Sequence, residues 1–132
     1  MKYTLEERRQ RALDLKKQGH NCCQSVAMAF GDVTATDEQL LSRLSAGFGS
    51  GFGGKGEVCG AITGATMVAG MAYDATKRPA VYGKVRETMD AFANLNGSYI
   101  CRELKGPDRK PCAELITDVV EILHRQLEAD GF

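Results

Sequence analysis

Apolar positions along this chain recur at intervals of three and four, and no segment sustains the period-two alternation of a half-buried strand. Thr4-Leu5-Glu6-Glu7 has the form of a capping box; it opens a charged, helix-favouring run that lasts to Gln18, where Gly19 stops it. Asn21 can cap a short second helix from Cys22 to about Phe30, with Gln24 at its third position. Thr36-Asp37-Glu38-Gln39 repeats the capping-box pattern before a helix whose apolar side is Leu40, Leu41, Leu44 and Phe48. A glycine-rich stretch from Gly47 to Gly56 leads into an apolar helix predicted from Val58 to about Ala75. There Gly60 and Gly64, and Ala61, Ala65 and Ala69, form rows of small residues that let a neighbouring helix approach closely. Pro79 suits the first turn of the next helix, which should bury Tyr82, Val85, Met89 and Phe92 and end near Gly97. A short segment, Ser98 to Leu104, and a loop, Lys105 to Lys110, precede the last helix. Opened by Pro111, it carries Cys112, Leu115, Ile116, Val119, Val120, Leu123 and Leu127 on one apolar face. The pattern predicts an all-α fold: a compact single-domain bundle of five or six helices over residues 1–132, with a Gly-rich loop before the central helix.

Composition narrows the function classes. Seventeen basic and seventeen acidic side chains cancel, which removes the electrostatic footprint expected of a nucleic-acid or anionic-membrane binder. No apolar run approaches the ~20 residues of a membrane-embedded span. Met1-Lys2-Tyr3-Thr4-Leu5 has no apolar stretch after its charge, so a cytoplasmic location is expected.

Candidate chemistry lies in five cysteines: Cys22, Cys23, Cys59, Cys101 and Cys112. An odd count in a reducing compartment argues against a static disulfide framework and leaves packing, metal ligation or redox chemistry. Cys22, Cys59 and Cys112 fall at predicted helix N-termini, where the dipole lowers a thiol pKa. The expectation is therefore a reactive or metal-bound thiolate, with Cys59 as the foremost nucleophile. Cys22 and Cys23 are adjacent and project about 100° apart on a helix, so one of the two faces any shared site. There is no C-x-x-C and no zinc-finger spacing; a site built from these thiols has to be assembled by tertiary structure. His20 is a candidate ligand or proton acceptor weighed against a loop or cap role, and His124 reads as structural or solvated. Gly51-Phe52-Gly53-Gly54-Lys55-Gly56 matches a dinucleotide fingerprint only as a string, because a helix rather than a strand precedes it. Gly53, Gly54 and Gly56 remain candidates to present unpaired N–H groups to a thiolate, cofactor or other anion.

Gly19-His20-Asn21-Cys22-Cys23-Gln24-Ser25-Val26, the Gly-Phe-Gly loop, Cys59-Gly60-Ala61-Ile62-Thr63-Gly64, Cys101-Arg102 and Cys112 together resemble the C_GCAxxG_C_C family of redox-active proteins. The resemblance runs from about Leu5 to Leu127. By motif position the family's four cysteines fall on Cys22, Cys59, Cys101 and Cys112, while Cys23 stands where the family more often has a small residue. The resemblance implies a redox or metal role, with an unknown redox partner protein and a functional link to a transporter by gene neighbourhood. Three readings follow. The first is thiol/disulfide or electron-transfer chemistry at the four cysteines; the second is a metal ion or iron–sulfur cluster held by the same four; the third is a non-catalytic helical interaction module. Covalent haem is excluded, since C-x-x-C-H is absent.

Overall fold

In a computed structural model describing residues 1–132, the capping patterns are realised atom by atom. Helix α1 (Leu5–Lys17) starts on a reciprocal Thr4–Glu7 box, and α2 (Cys22–Ala29) on a reciprocal Asn21–Gln24 box. They are followed by α3 (Gly31–Thr34), α4 (Glu38–Ser45) with a 3-10 turn (Ala46–Phe48), and α5 (Gly60–Ala72). The chain ends with α6 (Arg78–Asn96), α7 (Cys101–Leu104) and α8 (Cys112–Ala129). The fold is all-α, with eight helices rather than five or six. The surplus comes from α3 and α7, single turns too short to leave a periodic signature.

The axis of the bundle is α2, not the apolar α5. From Cys23 to Phe30 every residue except Gln24 is buried, and α1, α4, α5 and α8 pack around that segment. The closest approach is α5 across α2, through the small-residue row. A Cβ at Gly64 would sit 2.8 Å from the Cys23 carbonyl oxygen, and one at Gly60 would sit 2.3 Å from Cys22 Sγ. On α8, Leu115, Ile116, Val119, Val120, Leu123 and Leu127 are all buried in the common core, as their spacing predicts.

Two expected faces are corrected. Helix α4 is capped by Asp37 rather than Thr36, and of its apolar row only Leu41 is enclosed. Leu40 and Leu44 are 45% and 50% exposed because α4 lies at the periphery, packed chiefly on α2. On α6, Phe92 is buried but Tyr82 is 55% exposed, and Val85 and Met89 are half-buried.

The other unexpected feature is charged. Arg8 is completely buried and bonds Asp32 through two nitrogens at 2.6 and 2.8 Å, the Ala29 carbonyl at 2.7 Å, and His124 Nδ1 through Nε at 3.0 Å. The face of Phe30 lies 4.4 Å beneath the guanidinium. This set fastens α1, the α2–α3 junction and α8 to one another.

No strand forms, but Val58 and Ile100 make one isolated antiparallel bridge. Around it Cys59 N–H donates to the Tyr99 carbonyl at 2.8 Å, and Cys101 N–H to the Glu57 carbonyl at 2.6 Å. The bridge sets the start of α5 beside the start of α7. Gly51 permits it: a Cβ there would lie 2.5 Å from the Glu57 nitrogen and 2.8 Å from Cys101 Cβ. No helix is long and apolar enough to cross a membrane.

Candidate functional site

Four cysteines stand at helix starts. Cys22 is the first residue of α2, Cys59 caps α5, Cys101 is the first residue of α7, and Cys112 is the first residue of α8. The fold brings all four to one cavity of about 60 Å³, whose wall also includes Lys16, Lys105, Asn21 and Ser50. All five cysteines of the chain are free thiols. Cys23 does not reach the cavity. It is fully buried between α2 and α5, 3.9 Å from Met67 Sδ, and accepts a hydrogen bond from Thr63 Oγ1 at 3.5 Å. Burial pushes its pKa up to about 11, the inert packing role open to any buried thiol.

The four cavity thiols are not equivalent. Cys59 and Cys101 are 5% and 7% exposed, whereas Cys22 and Cys112 are half-buried. Burial drives the Cys59 thiol up to about 11; the nearby Ala61 and Ile62 N–H groups oppose the rise, and the neighbouring Cys22 and Cys101 add to it. The helix start expected to lower the Cys59 pKa is present, but burial outweighs it and the thiol lies above its ordinary value. Cys101 is also raised by burial, a rise opposed by the nearby charge of Lys105.

Cys112 has a different neighbour. The Lys105 ammonium donates to Cys112 Sγ at 2.8 Å. That bond, working against burial, raises the pKa of Lys105 and keeps the lysine a cation. Lys105 was hidden in a segment read only as a loop, although it stands four residues after Cys101, one helical turn on. Lys16, in the last turn of α1, is exposed and also borders the cavity; no carboxylate lines it.

The glycines have a different role from the one expected. Gly53, Gly54 and Gly56 donate their N–H groups to the carbonyls of Gly47, Gly49 and Ser50, at 2.9, 3.1 and 3.1 Å. These donors are consumed within the loop, and none of the three glycines lines the cavity. His20 lines a separate hollow beside Leu15, Met28 and Glu38, and His124 belongs to the Arg8 cluster. A soft metal would suit four thiolates as donors. As arranged, however, no three His, Cys, Asp or Glu side chains converge as a ligand set, and Cys112 already carries the Lys105 ammonium.

An all-α bundle that gathers four free thiols around one small cavity is built around its cysteines. The family model described as "Putative redox-active protein (C_GCAxxG_C_C)" matches residues 20–126, and the chain belongs to that family. A curated protein of Archaeoglobus fulgidus, described as an uncharacterized protein, is 27% identical over 137 aligned positions, covering 89% of this chain and 91% of its own. No solved structure matches.

Proposed function

We propose that this protein exchanges thiols and disulfides, with Cys112 as the attacking sulfur and Cys101 as the resolving one. The observation that carries the reading is the Lys105 ammonium bonded to Cys112 Sγ, at the wall of a cavity lined by three further free thiols. A charge-assisted bond of this kind stabilises negative charge on its acceptor and directs attack to that sulfur. Cys112 is also half-buried, so a substrate can reach it, while Cys101 is enclosed, as suits a sulfur that reacts only within the protein.

In the first step Cys112 Sγ attacks one sulfur of a substrate disulfide. The substrate S–S bond breaks, one half departs as a thiol with a proton from Lys105 or water, and a mixed disulfide forms on Cys112. Cys101 then attacks Cys112 Sγ and gives up its proton; the second half leaves as a thiol. Two electrons and two protons have moved from the protein to the substrate. A partner dithiol protein restores the reduced state by the reverse exchange.

The reading is tested with reduced protein purified without oxygen and without a metal-binding tag. Cys101→Ser should accumulate a mixed disulfide on Cys112 when given a small disulfide, and Cys112→Ser should accumulate none. A stoichiometric metal, with or without acid-labile sulfide, in the same preparation would replace this reading with that of a cysteine-ligated metalloprotein.

A further inference from the structure

We infer that Cys22 is a further catalytic sulfur, which takes the disulfide from Cys101 and Cys112 and closes it with Cys59. The inference rests on the thiol–disulfide reading above, which leaves two of the four cavity thiols without a part. The Val58–Ile100 bridge supplies the first argument. Cys59 and Cys101 each follow a bridged residue, and the two segments run antiparallel. Cys59 therefore stands opposite Tyr99, and Cys101 is its diagonal neighbour, about 7–8 Å away. A disulfide needs Cα atoms roughly 4.4–6.8 Å apart. The bridge thus brings both sulfurs to one cavity while keeping them from joining directly.

Cys22 fills the gap between them. Its sulfur lies against the first turn of α5, where a Cβ on Gly60, next to Cys59, would sit 2.3 Å from Cys22 Sγ. Cys22 lines the same cavity as the other three, and about 60 Å³ holds no more than a few water-sized groups. Burial is the main cause of the raised Cys59 and Cys101 pKa values, and of the thiols near each, Cys22 adds most to the rise. Cys23 takes no part, because its sulfur lies against Met67 and Thr63. Cys59 is only 5% exposed, so its oxidation has to be relayed from within, and the half-buried Cys22 is the sulfur placed to do it.

The exchange moves one disulfide and leaves the electron count of the protein unchanged. Cys22 Sγ gives up its proton to water and attacks Cys101 Sγ of the Cys101–Cys112 disulfide. The Cys101–Cys112 bond breaks, and Cys112 leaves as the thiolate whose charge the Lys105 ammonium stabilises. Cys59 then loses its proton and attacks Cys22 Sγ; the Cys22–Cys101 bond breaks, and Cys101 leaves and takes up a proton. Cys22 and Cys59 are oxidised, Cys101 and Cys112 are reduced, and the second pair is free to meet another substrate disulfide.

The test adds the disulfide of 2-mercaptoethanol in stepwise equivalents to the reduced full chain without oxygen. Released thiol is counted, and acid-quenched samples are mapped by peptide mass spectrometry. The native protein should consume two equivalents, showing Cys101–Cys112 first and Cys22–Cys59 after it. Cys22→Ser should stop at one equivalent with Cys101–Cys112 alone, reached at the native rate. In Cys112→Ser, Cys22–Cys59 should not form on the native timescale. If the native protein stops at Cys101–Cys112, the inference fails and the thiol–disulfide reading stands. If Cys22–Cys59 forms as fast in Cys112→Ser, Cys22 attacks the substrate itself and the relay is refuted. If Cys101–Cys112 never forms, the thiol–disulfide reading falls and the relay with it. The order of bonds in the native protein decides the matter even where a variant fails to fold.

Discussion

Asp32→Asn tests whether the buried Arg8 cluster holds the bundle together. In the native protein the Arg8 side chain is fully enclosed, and its counter-charge is the Asp32 carboxylate, itself only 6% exposed. Burial alone would raise the Asp32 pKa. The hydrogen bonds from Arg8, helped by the Lys2 N–H and the charge of Arg8, outweigh it and hold the group at about 2 instead of 3.8. A shift of that size corresponds to about 2 kcal/mol in favour of the ionised folded state. The amide keeps the volume of the carboxyl but removes the charge, leaving a buried guanidinium uncompensated, which typically costs about 3–5 kcal/mol. The variant should therefore lose about 2–5 kcal/mol at neutral pH, a large share of the roughly 5–15 kcal/mol available to a domain. Urea unfolding followed by helical circular dichroism measures the loss. The pH dependence supplies a second reading. A lowered carboxyl pKa contributes its full stability above the unfolded value, and that contribution is lost as pH falls through the folded one. The native protein should thus weaken between about pH 4 and pH 2. Asp32→Asn should lack that part of the acid slope. His124, lowered first by burial and then by the charge of Arg8, adds an earlier acid loss below the ordinary histidine range in both proteins. A loss below about 1 kcal/mol with an unchanged acid slope would refute the reasoning.

Three other outcomes follow from the same contacts. Gly64→Ala places a Cβ 2.8 Å from the Cys23 carbonyl oxygen and 3.0 Å from Val26 Cβ, so α5 must move off α2; a loss of about 1–3 kcal/mol in thermal or urea unfolding is expected. Lys105→Met should slow alkylation of Cys112 by iodoacetamide near neutral pH relative to that of Cys22 in the same molecule, followed by peptide mass spectrometry; an unchanged ratio would remove Lys105 from the site. Raised thiol pKa values favour the fold while the thiols stay neutral, so stability should fall as pH rises from about 9 toward about 11. Cys23→Ala should flatten part of that alkaline slope.

The difference between what could be read along the chain and what could not follows from the range of each interaction. Asn21 and Gln24 announce a helix start because the bonds they make span three residues. The capping pattern therefore located Cys22 before any fold was known. Arg8 sits in a polar run that reads as a solvated face; its partners, Asp32 and His124, are 24 and 116 positions away, and nothing local marks them. Gly53, Gly54 and Gly56 looked like free donors because the carbonyls that occupy them lie six, five and six residues back, in a loop with no periodic signature.

Cys59 is the sharpest case, because two opposing effects of different range meet at its sulfur. Standing at the start of a helix stabilises a negative charge by typically 0.3–1 kcal/mol. Burial of the same sulfur, with the other thiols beside it, carries its pKa from 9.0 to about 11, a penalty of about 3 kcal/mol on the thiolate. The helix start is written in the neighbouring residues. The burial depends on the Val58–Ile100 bridge, which joins segments some forty residues apart. The larger effect is the non-local one, so a helix start alone does not mark Cys59 as an activated thiol. Under the thiol–disulfide proposal the attacking role is therefore given to Cys112, which combines a helix start with partial exposure and an ammonium on its sulfur, rather than to the enclosed Cys59.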